Sequence, residues 1–433
     1  MAILTFIGAG STVFAKNVLG DCMLVPALRD ADIRLVDIDP VRLRDSEIMV
    51  RNLSQSLGAQ ARVSAYLGSD CRAALSGADY VVNAIQVGGY EPCTVTDFEI
   101  PKRYGLEQTI GDTLGIGGIF RALRTIPVLR DYCRVIEEVA PSAWLLNYTN
   151  PMCMVTGAML KHTGVRCVGL CHSVQVCATQ LCEELDLPSD DLRWKIAGIN
   201  HQAWLLEITR HGADLYPEIK RRALLPAYAR KDAVRFEIMK RFGYYVTESS
   251  EHSAEYVPWF IKRRAPELIE AYGIPLDEYP RRCVIQIERW REMRETLVTD
   301  KPLEHCRGHE YASYMLEAME TNQAFRIAGN VLNKGYITNL PEDACVEVLC
   351  LVDGNGIQPV HAGALPPQCA ALNRTNINVQ ELTIEAAHTL KRDHIYQAAL
   401  LDPHTAAELT VDEIVGLCDD LIAAHGDWLP HYT

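Results

Sequence analysis

The residues best placed to do chemistry in this sequence begin at Gly8-Ala9-Gly10-Ser11, directly after the apolar run Ile3-Leu4-Thr5-Phe6-Ile7. An unbroken apolar run reads as a buried parallel strand. A glycine turn at its end lets a pyrophosphate approach the backbone at the N-terminus of the next helix. Gly8 permits the tight turn, Gly10 removes a side chain at the point of approach, and Ser11 and Thr12 offer hydroxyls. Val13 stands where the dinucleotide fingerprint has its third glycine. A second run, Asp32-Ile33-Arg34-Leu35-Val36, ends at Asp37. An acid there suits the hydroxyls of an adenosine ribose and favours NAD over NADP, because a 2′-phosphate beside a carboxylate is repelled. Arg42 and Arg44 temper that preference, and Asp39 with Pro40 also reads as a helix start.

Further polar residues follow the later strand-like runs. These runs end at Asn83, Asn147 and Leu170, and parallel strands end at the sheet edge where ligands bind. Asn83 is thereby assigned to the cofactor side. Cys171-His172 follows the third run, and Ile199-Asn200-His201 brings a second histidine past another. Thiolate and imidazole are common ligands for borderline divalent ions. Two ligands are too few for a structural site, but they suit an ion that completes its sphere with substrate hydroxyls and water. Against this stands the reading of Cys171 as a small buried hydrophobe, the usual fate of a free cysteine. The histidine–carboxylate pair and arginine clamp of an ordinary hydroxyacid dehydrogenase are not evident.

The elements that must hold these residues alternate strand and helix. Strands are expected at Ala78–Ala84, Ala143–Asn147 and Arg166–Leu170, with helices around Arg72–Leu75 and Ile119–Val139. Such repeats make a doubly wound parallel α/β sheet over residues 1–195. Residues 196–433 read as a mixed α/β domain, with strand-like segments at Ala203–Thr209 and Cys345–Val352 and long helices near Arg281 and Ala406. The 433 residues are 48% hydrophobic and carry a formal net charge of −14, which argues against nucleic acid and anionic membranes as partners. The first apolar run is already the first strand, so it does not read as a secretion signal. Fifteen cysteines in such a chain read as free thiols of a cytoplasmic protein.

At this level of detail the chain resembles glycoside hydrolase family 4, the NAD- and metal-dependent glycosidases, and within it the bacterial α-galactosidases. The resemblance runs through Gly8–Ser11, Gly88–Glu99, Gly105–Ile110, Asn147–Pro151, Cys171–Val174, Gly198–His201, Thr247–His252, Asp402–Ala407 and Ala424–Pro430. It implies a Rossmann-like domain, NAD and manganese as cofactors, a small α-galactoside as substrate, and a homodimer or homotetramer. It places the metal on Cys171 and His201, the substrate at Asn150 and a tyrosine base at Tyr256. The residue after the metal-binding cysteine is the family's acid, an aspartate in many phospho-glycosidase relatives; His172 stands there in this chain, which argues against a 6-phosphorylated substrate. Asp112 is the second candidate for the acid, its other reading being a cap for the helix near Ile119.

The implied reaction removes a hydride from sugar C3, takes the C2 proton, eliminates the aglycone, adds water and returns the hydride, unlike the two-carboxylate route of most glycosidases. The alternatives are an α-glucosidase or α-glucuronidase of the same family, an NAD-dependent hydroxyacid or sugar dehydrogenase, and a silent NAD-binding sensor.

Overall fold

In the computed structural model, which describes residues 1–433, six parallel strands form the first half. They are β1 (Ile3–Ile7), β2 (Asp32–Asp37), β3 (Arg62–Leu67), β4 (Tyr80–Asn83), β5 (Trp144–Asn147) and β6 (Arg166–Leu170), in the spatial order β3-β2-β1-β4-β5-β6. The order reverses at β1, so the Gly8 turn opens at the switch point of a doubly wound sheet. β1 and β4 are apolar along almost their whole length because helices cover both faces. β3 was not foreseen. It is the outer strand, half exposed, and its mixed sequence Arg-Val-Ser-Ala-Tyr-Leu lacks the apolar run that marks the central strands.

The second half extends the same sheet with antiparallel strands. β7 (Leu192–Ile199), β8 (Gln202–Arg210), β9 (Ala213–Asp214), β10 (Tyr245–Val246), β11 (Phe325–Leu332), β12 (Cys345–Asp353) and β13 (Gly356–Pro359) complete it. Beyond β6 the order is β11-β12-β7-β8-β10, with β13 on β12 and β9 on β8. Late strands are thus inserted between β6 and β7, which neighbour each other in sequence. The joins are narrow: β6 meets β11 through two residue pairs, and β12 meets β7 through the single pair Glu347–Gly198.

The expected helix near Arg281 spans Glu278–Leu297. The expected long helix near Ala406 is two helices, Pro403–Glu408 and Val411–His425. The break comes from capping. Asp402 accepts from the Thr405 amide to start the first, and Thr410 with Glu413 forms a capping box that restarts the chain as the second.

A buried ion pair ties the C-terminus to the first half. Arg124 donates to both carboxylate oxygens of Asp97, at 3.1 and 2.5 Å, and His425 Nε2 lies 2.9 Å from Asp97 Oδ1. The Arg124 side chain is fully shielded from solvent. Removing the carboxylate alone would strand a buried guanidinium, so Asp97→Ala is expected to cost about 3–5 kcal/mol of unfolding free energy. Urea denaturation of the two proteins checks this, and a loss below about 1 kcal/mol would show that the pair is solvated or readily replaced.

Candidate active site

The turn after β1 is shaped by two close approaches. Gly8 has φ +84°, and a Cβ on it would lie 2.7 Å from the Ala84 backbone. A Cβ on Gly10 would lie 2.7 Å from Asp37 Oδ2. The Gly10 amide donates to that oxygen at 2.6 Å, and the Asp39 amide donates to Oδ1 at 2.9 Å. Asp37, half-buried at the end of β2, is therefore in contact with the glycine turn. Asp39 caps the helix Pro40–Ser56 through the amides of Val41 and Arg42, so the two acids divide the roles that the sequence left overlapping. Ser11 is exposed and makes no capping bond, which leaves its hydroxyl free, whereas the Thr12 hydroxyl turns back to the Gly10 carbonyl. Asn83 is wholly buried; its amide donates to Asn147 Oδ1 at 2.8 Å and Thr149 Oγ1 at 3.0 Å, cross-linking the ends of β4 and β5.

Cys171 leaves the end of β6, and His201 occupies the two-residue turn joining β7 to β8. Their Sγ and Nε2 atoms lie 3.3 Å apart. A third donor, Glu248, has Oε2 at 3.7 Å from His201 Nε2, and one donor atom from each of the three falls within 4.8 Å of the others. Glu248 lies in the matching segment Thr247–His252, and the sequence assigned it no role. Its signal was weak: a carboxylate two residues after a strand of only two residues. His201 and Glu248 both have positive φ, +62° and +67°, a region that non-glycine residues seldom occupy and that collects at functional sites.

The three groups set one another's charge. Burial pushes the Cys171 thiol up, but the facing His201 outweighs it and the net shift is downward. Burial opposes a charge on His201 as well, yet Cys171 and Glu248 raise it to about 10. Burial disfavours the Glu248 carboxylate, while His201, His252 and Arg235 bring it down to about 2. His252, stacked edge-on against His201 at 4.5 Å, is held neutral by burial, with a pKa lowered to about 4. His201 Nδ1 is buried without a partner, so Nε2 is the nitrogen turned toward the other donors. One thiolate, one imidazole and one carboxylate converging in this way fit a borderline divalent cation with positions left for oxygen ligands.

The remaining candidates fall into two groups. Asp112 and Asn150 are together: Asn150 Nδ2 lies 3.4 Å from Asp112 Oδ2, Thr113 donates to Oδ1 at 2.7 Å, and Arg121 stands 3.9 Å away. Asp112 does not cap the helix near Ile119, which spans Gly115–Val139 and begins without a side-chain cap. Tyr256 is 1% exposed, and its hydroxyl donates to the Asn200 carbonyl at 3.2 Å, beside His201. Burial first, then Cys153, Asp112, Glu248 and Cys171, push its pKa well above 10. His172, beside Cys171 in sequence, is half exposed and bonds to neither group. Its Nε2 lies 2.7 Å from Glu310 Oε2, and that pairing raises its pKa above the ordinary histidine value.

Glu255, also unassigned from sequence, joins Tyr256 to the Asp112 loop. It is 3% exposed, and its carboxylate accepts from the amides of Thr109, Ile110 and Gly111 at 2.7, 3.1 and 3.2 Å. Burial outweighs these bonds and pushes its pKa up from 4.5 to about 7. The folded chain therefore binds this proton more tightly than the unfolded chain. Its contribution to stability is full below pH 4.5 and is lost as pH rises through about 7. The loss is about 3 kcal/mol. Glu255→Gln should show a correspondingly smaller fall in urea midpoint between pH 5 and 8; an undiminished fall would assign the pH dependence to other groups.

Two family models and several known proteins match the chain along its length. The model described as family 4 glycosyl hydrolase matches residues 3–187, and that of the family 4 glycosyl hydrolase C-terminal domain matches residues 196–405. The chain is 60% identical over 433 residues to the α-galactosidase of Bacillus subtilis (strain 168), covering 100% of both. It is 36% identical to the α-galactosidase of Rhizobium meliloti (strain 1021), over 99% of this chain and 89% of that one. Among solved structures, a 6-phospho-α-glucosidase from gut microorganisms in complex with NAD and Mn²⁺ superposes with a TM-score of 0.79 at 21% identity, covering 100% of both chains. At that identity the likeness speaks for the fold. The malate dehydrogenase of Plasmodium falciparum in complex with NADH superposes with a TM-score of 0.52 at 13% identity over 91% of this chain and 100% of that one, a likeness of fold alone. With both family models matched along most of its length, this chain belongs to glycoside hydrolase family 4.

Proposed function

We propose that the chain is an α-galactosidase that releases terminal α-galactosides with the help of bound NAD and a divalent manganese ion. The observation that carries the reading is the convergence of Cys171, His201 and Glu248 within 4.8 Å, in a chain whose glycine turn already rests on Asp37. The 60% identity to an α-galactosidase over the whole length supports the choice of sugar. When bound, the nucleotide supplies a hydride acceptor for sugar C3 and the cation polarises the oxygen at that carbon.

The chain's own residues do the rest. Gly8, Gly10 and Ser11 leave the backbone open to a pyrophosphate, Asp37 meets the ribose, and Asn83 holds the adjoining strand end in place. The half spanning 1–195 provides this site, and the half spanning 196–433 completes the metal and sugar site with His201, Glu248 and Tyr256. Asn150 and Asp112 offer a donor and an acceptor to sugar hydroxyls. Tyr256 takes the C2 proton once its own has left, which its anionic neighbours oppose until positive charge is added to the cleft. His172, kept protonated by Glu310, donates to the departing aglycone oxygen. The fifteen free thiols fit a reducing cytoplasm, and no helix is long and apolar enough to cross a membrane. The family resemblance supports a homodimer or homotetramer.

Nitrophenyl α-galactoside, α-glucoside and 6-phospho-glycosides, each with NAD⁺ and Mn²⁺ supplied or removed, test the reading. Turnover of the α-galactoside is expected only with both cofactors present and without net accumulation of NADH. Full turnover by protein freed of nucleotide and treated with chelator would refute it, and a preference for the glucoside would move it to another specificity. Tyr256→Phe should lower kcat about 10²- to 10⁴-fold. Its affinities for NAD and Mn²⁺ should hold, and exchange of solvent deuterium into C2 should be lost. A variant with undiminished exchange would take the base role from this tyrosine.

A further inference from the structure

Glu347 is a carboxylic acid in the middle of the sheet, on β12, and only 1% exposed. Asn330 donates to its Oε1 at 3.3 Å, while Oε2 is buried and has no partner. An acid so placed is costly unless its surroundings compensate, and none of the chemistry above uses it.

The sheet shows what surrounds it. Gly169 on β6 lies opposite Asn330 on β11, Asn330 lies opposite Glu347, and Glu347 lies opposite Gly198 on β7. Residues opposite one another point to the same face. Glycines therefore flank the Asn330–Glu347 pair: Asn330 meets the acid on one side, and Gly198 leaves its other side bare. Cys171 stands two residues beyond Gly169, and His201 three beyond Gly198. The charged groups that act on Glu347 are Cys171, His201 and Glu248, the donor set itself. His201 in turn has a buried Nδ1 with no partner in the chain, on the side of the ring away from the other donors.

We propose that Glu347 is the buried outer carboxylate of this donor set, a positioning residue that steadies the His201 ring and raises the affinity of Cys171, His201 and Glu248 for a divalent cation. It rests on the metal reading given above. A ligating histidine ordinarily passes its second ring N–H to a carboxylate or to a water held by one, and loss of that outer partner weakens metal binding about ten- to a hundredfold. No direct bond joins His201 Nδ1 to Glu347, so the link proposed is the water-borne one. Asn330, bonded to the Gly169 carbonyl at 3.3 Å as well as to Glu347, fixes the acid relative to the strand that delivers Cys171.

The test is Mn²⁺ binding to the full chain saturated with NAD, followed by calorimetry and by loss of the free-Mn²⁺ paramagnetic resonance signal. Glu347→Gln keeps the shape and one acceptor but removes the charge. Its Mn²⁺ Kd is expected to rise about ten- to a hundredfold with NAD affinity unchanged. The Co²⁺-loaded protein gives a second readout, because the thiolate-to-cobalt absorption band should shift when the His201 ring is no longer held. Asn330→Ala, which leaves the acid in place but unanchored, serves if the glutamine variant does not fold, and should also weaken Mn²⁺ binding. A Glu347→Gln protein that melts earlier yet binds Mn²⁺ within twofold of the parent, with an unshifted cobalt band, would overturn the inference alone. A parent chain that binds no Mn²⁺ would overturn the metal reading and this inference with it.

Discussion

The contact between Cys171 and His201 is the constraint on which the rest of the site depends. β11 and β12 stand between the strands that carry these residues. In a flat sheet, three inter-strand spacings would hold β6 and β7 about 14 Å apart, more than a cysteine and a histidine side chain span together. The observed separation of 3.3 Å is reached beyond the strand ends, where Cys171 follows β6 and His201 sits in the turn from β7 to β8. The narrow joins permit this. A single residue pair between β12 and β7, and two between β6 and β11, leave each strand free to turn away from its neighbour. The two halves thus share one cluster of donors across the inserted strands, through residues that lie past the strand ends.

Holding that cluster has a conformational cost. His201 and Glu248 both sit at positive φ, which costs about 1–3 kcal/mol for each non-glycine residue. The surrounding bonds make the arrangement hold. His201 is confined in a two-residue turn between paired strands, with Ile199 opposite Gln202. Glu248 follows Thr247, whose amide donates to the Ala203 carbonyl at 2.8 Å and whose hydroxyl accepts from the Ala203 amide at 3.2 Å. Backbone geometry brings the thiol, imidazole and carboxylate together, and their charges then favour one another: the thiol falls, the imidazole rises and the carboxylate falls.

What the sequence revealed follows from this construction. Gly8, Gly10, Asp37 and Cys171 could be singled out because each stands at the end of a strand-like run, where parallel α/β sheets expose their ligand edge, and His201 because it follows another such run, which the fold pairs antiparallel. The first-half strands were legible because burial on both faces writes them as apolar runs. β3 was not, since it is half exposed and needs no such run. Glu248 escaped because β10 is two residues long and owes its place to pairing with β8. Glu347 escaped for a related reason: an acid inside an otherwise apolar strand points to no partner until the strand order is known. Glu310 precedes the helix Tyr311–Thr321, far from His172 in sequence, and only the fold joins them.

That last pairing bears on the identity of the acid, which the sequence left between His172 and Asp112. Departure of an aglycone calls for a group that carries a proton and can release it toward the cleft. The hydrogen bonds around Asp112 are all received: Thr113 donates to one oxygen and Asn150 to the other, with the Arg121 guanidinium nearby. The Asp112 oxygens thus accept from neighbouring donors, a placement suited to orienting sugar hydroxyls. His172 has the opposite surroundings. Its single bond is to the Glu310 carboxylate, which favours the protonated ring, and its side chain is 48% exposed, so the proton can be replaced from solvent between turnovers. These surroundings support the proposal that the two residues hold different tasks rather than compete for one. The Glu310 carboxylate, rather than burial, keeps the His172 proton in place, since burial alone would push the ring toward its neutral form.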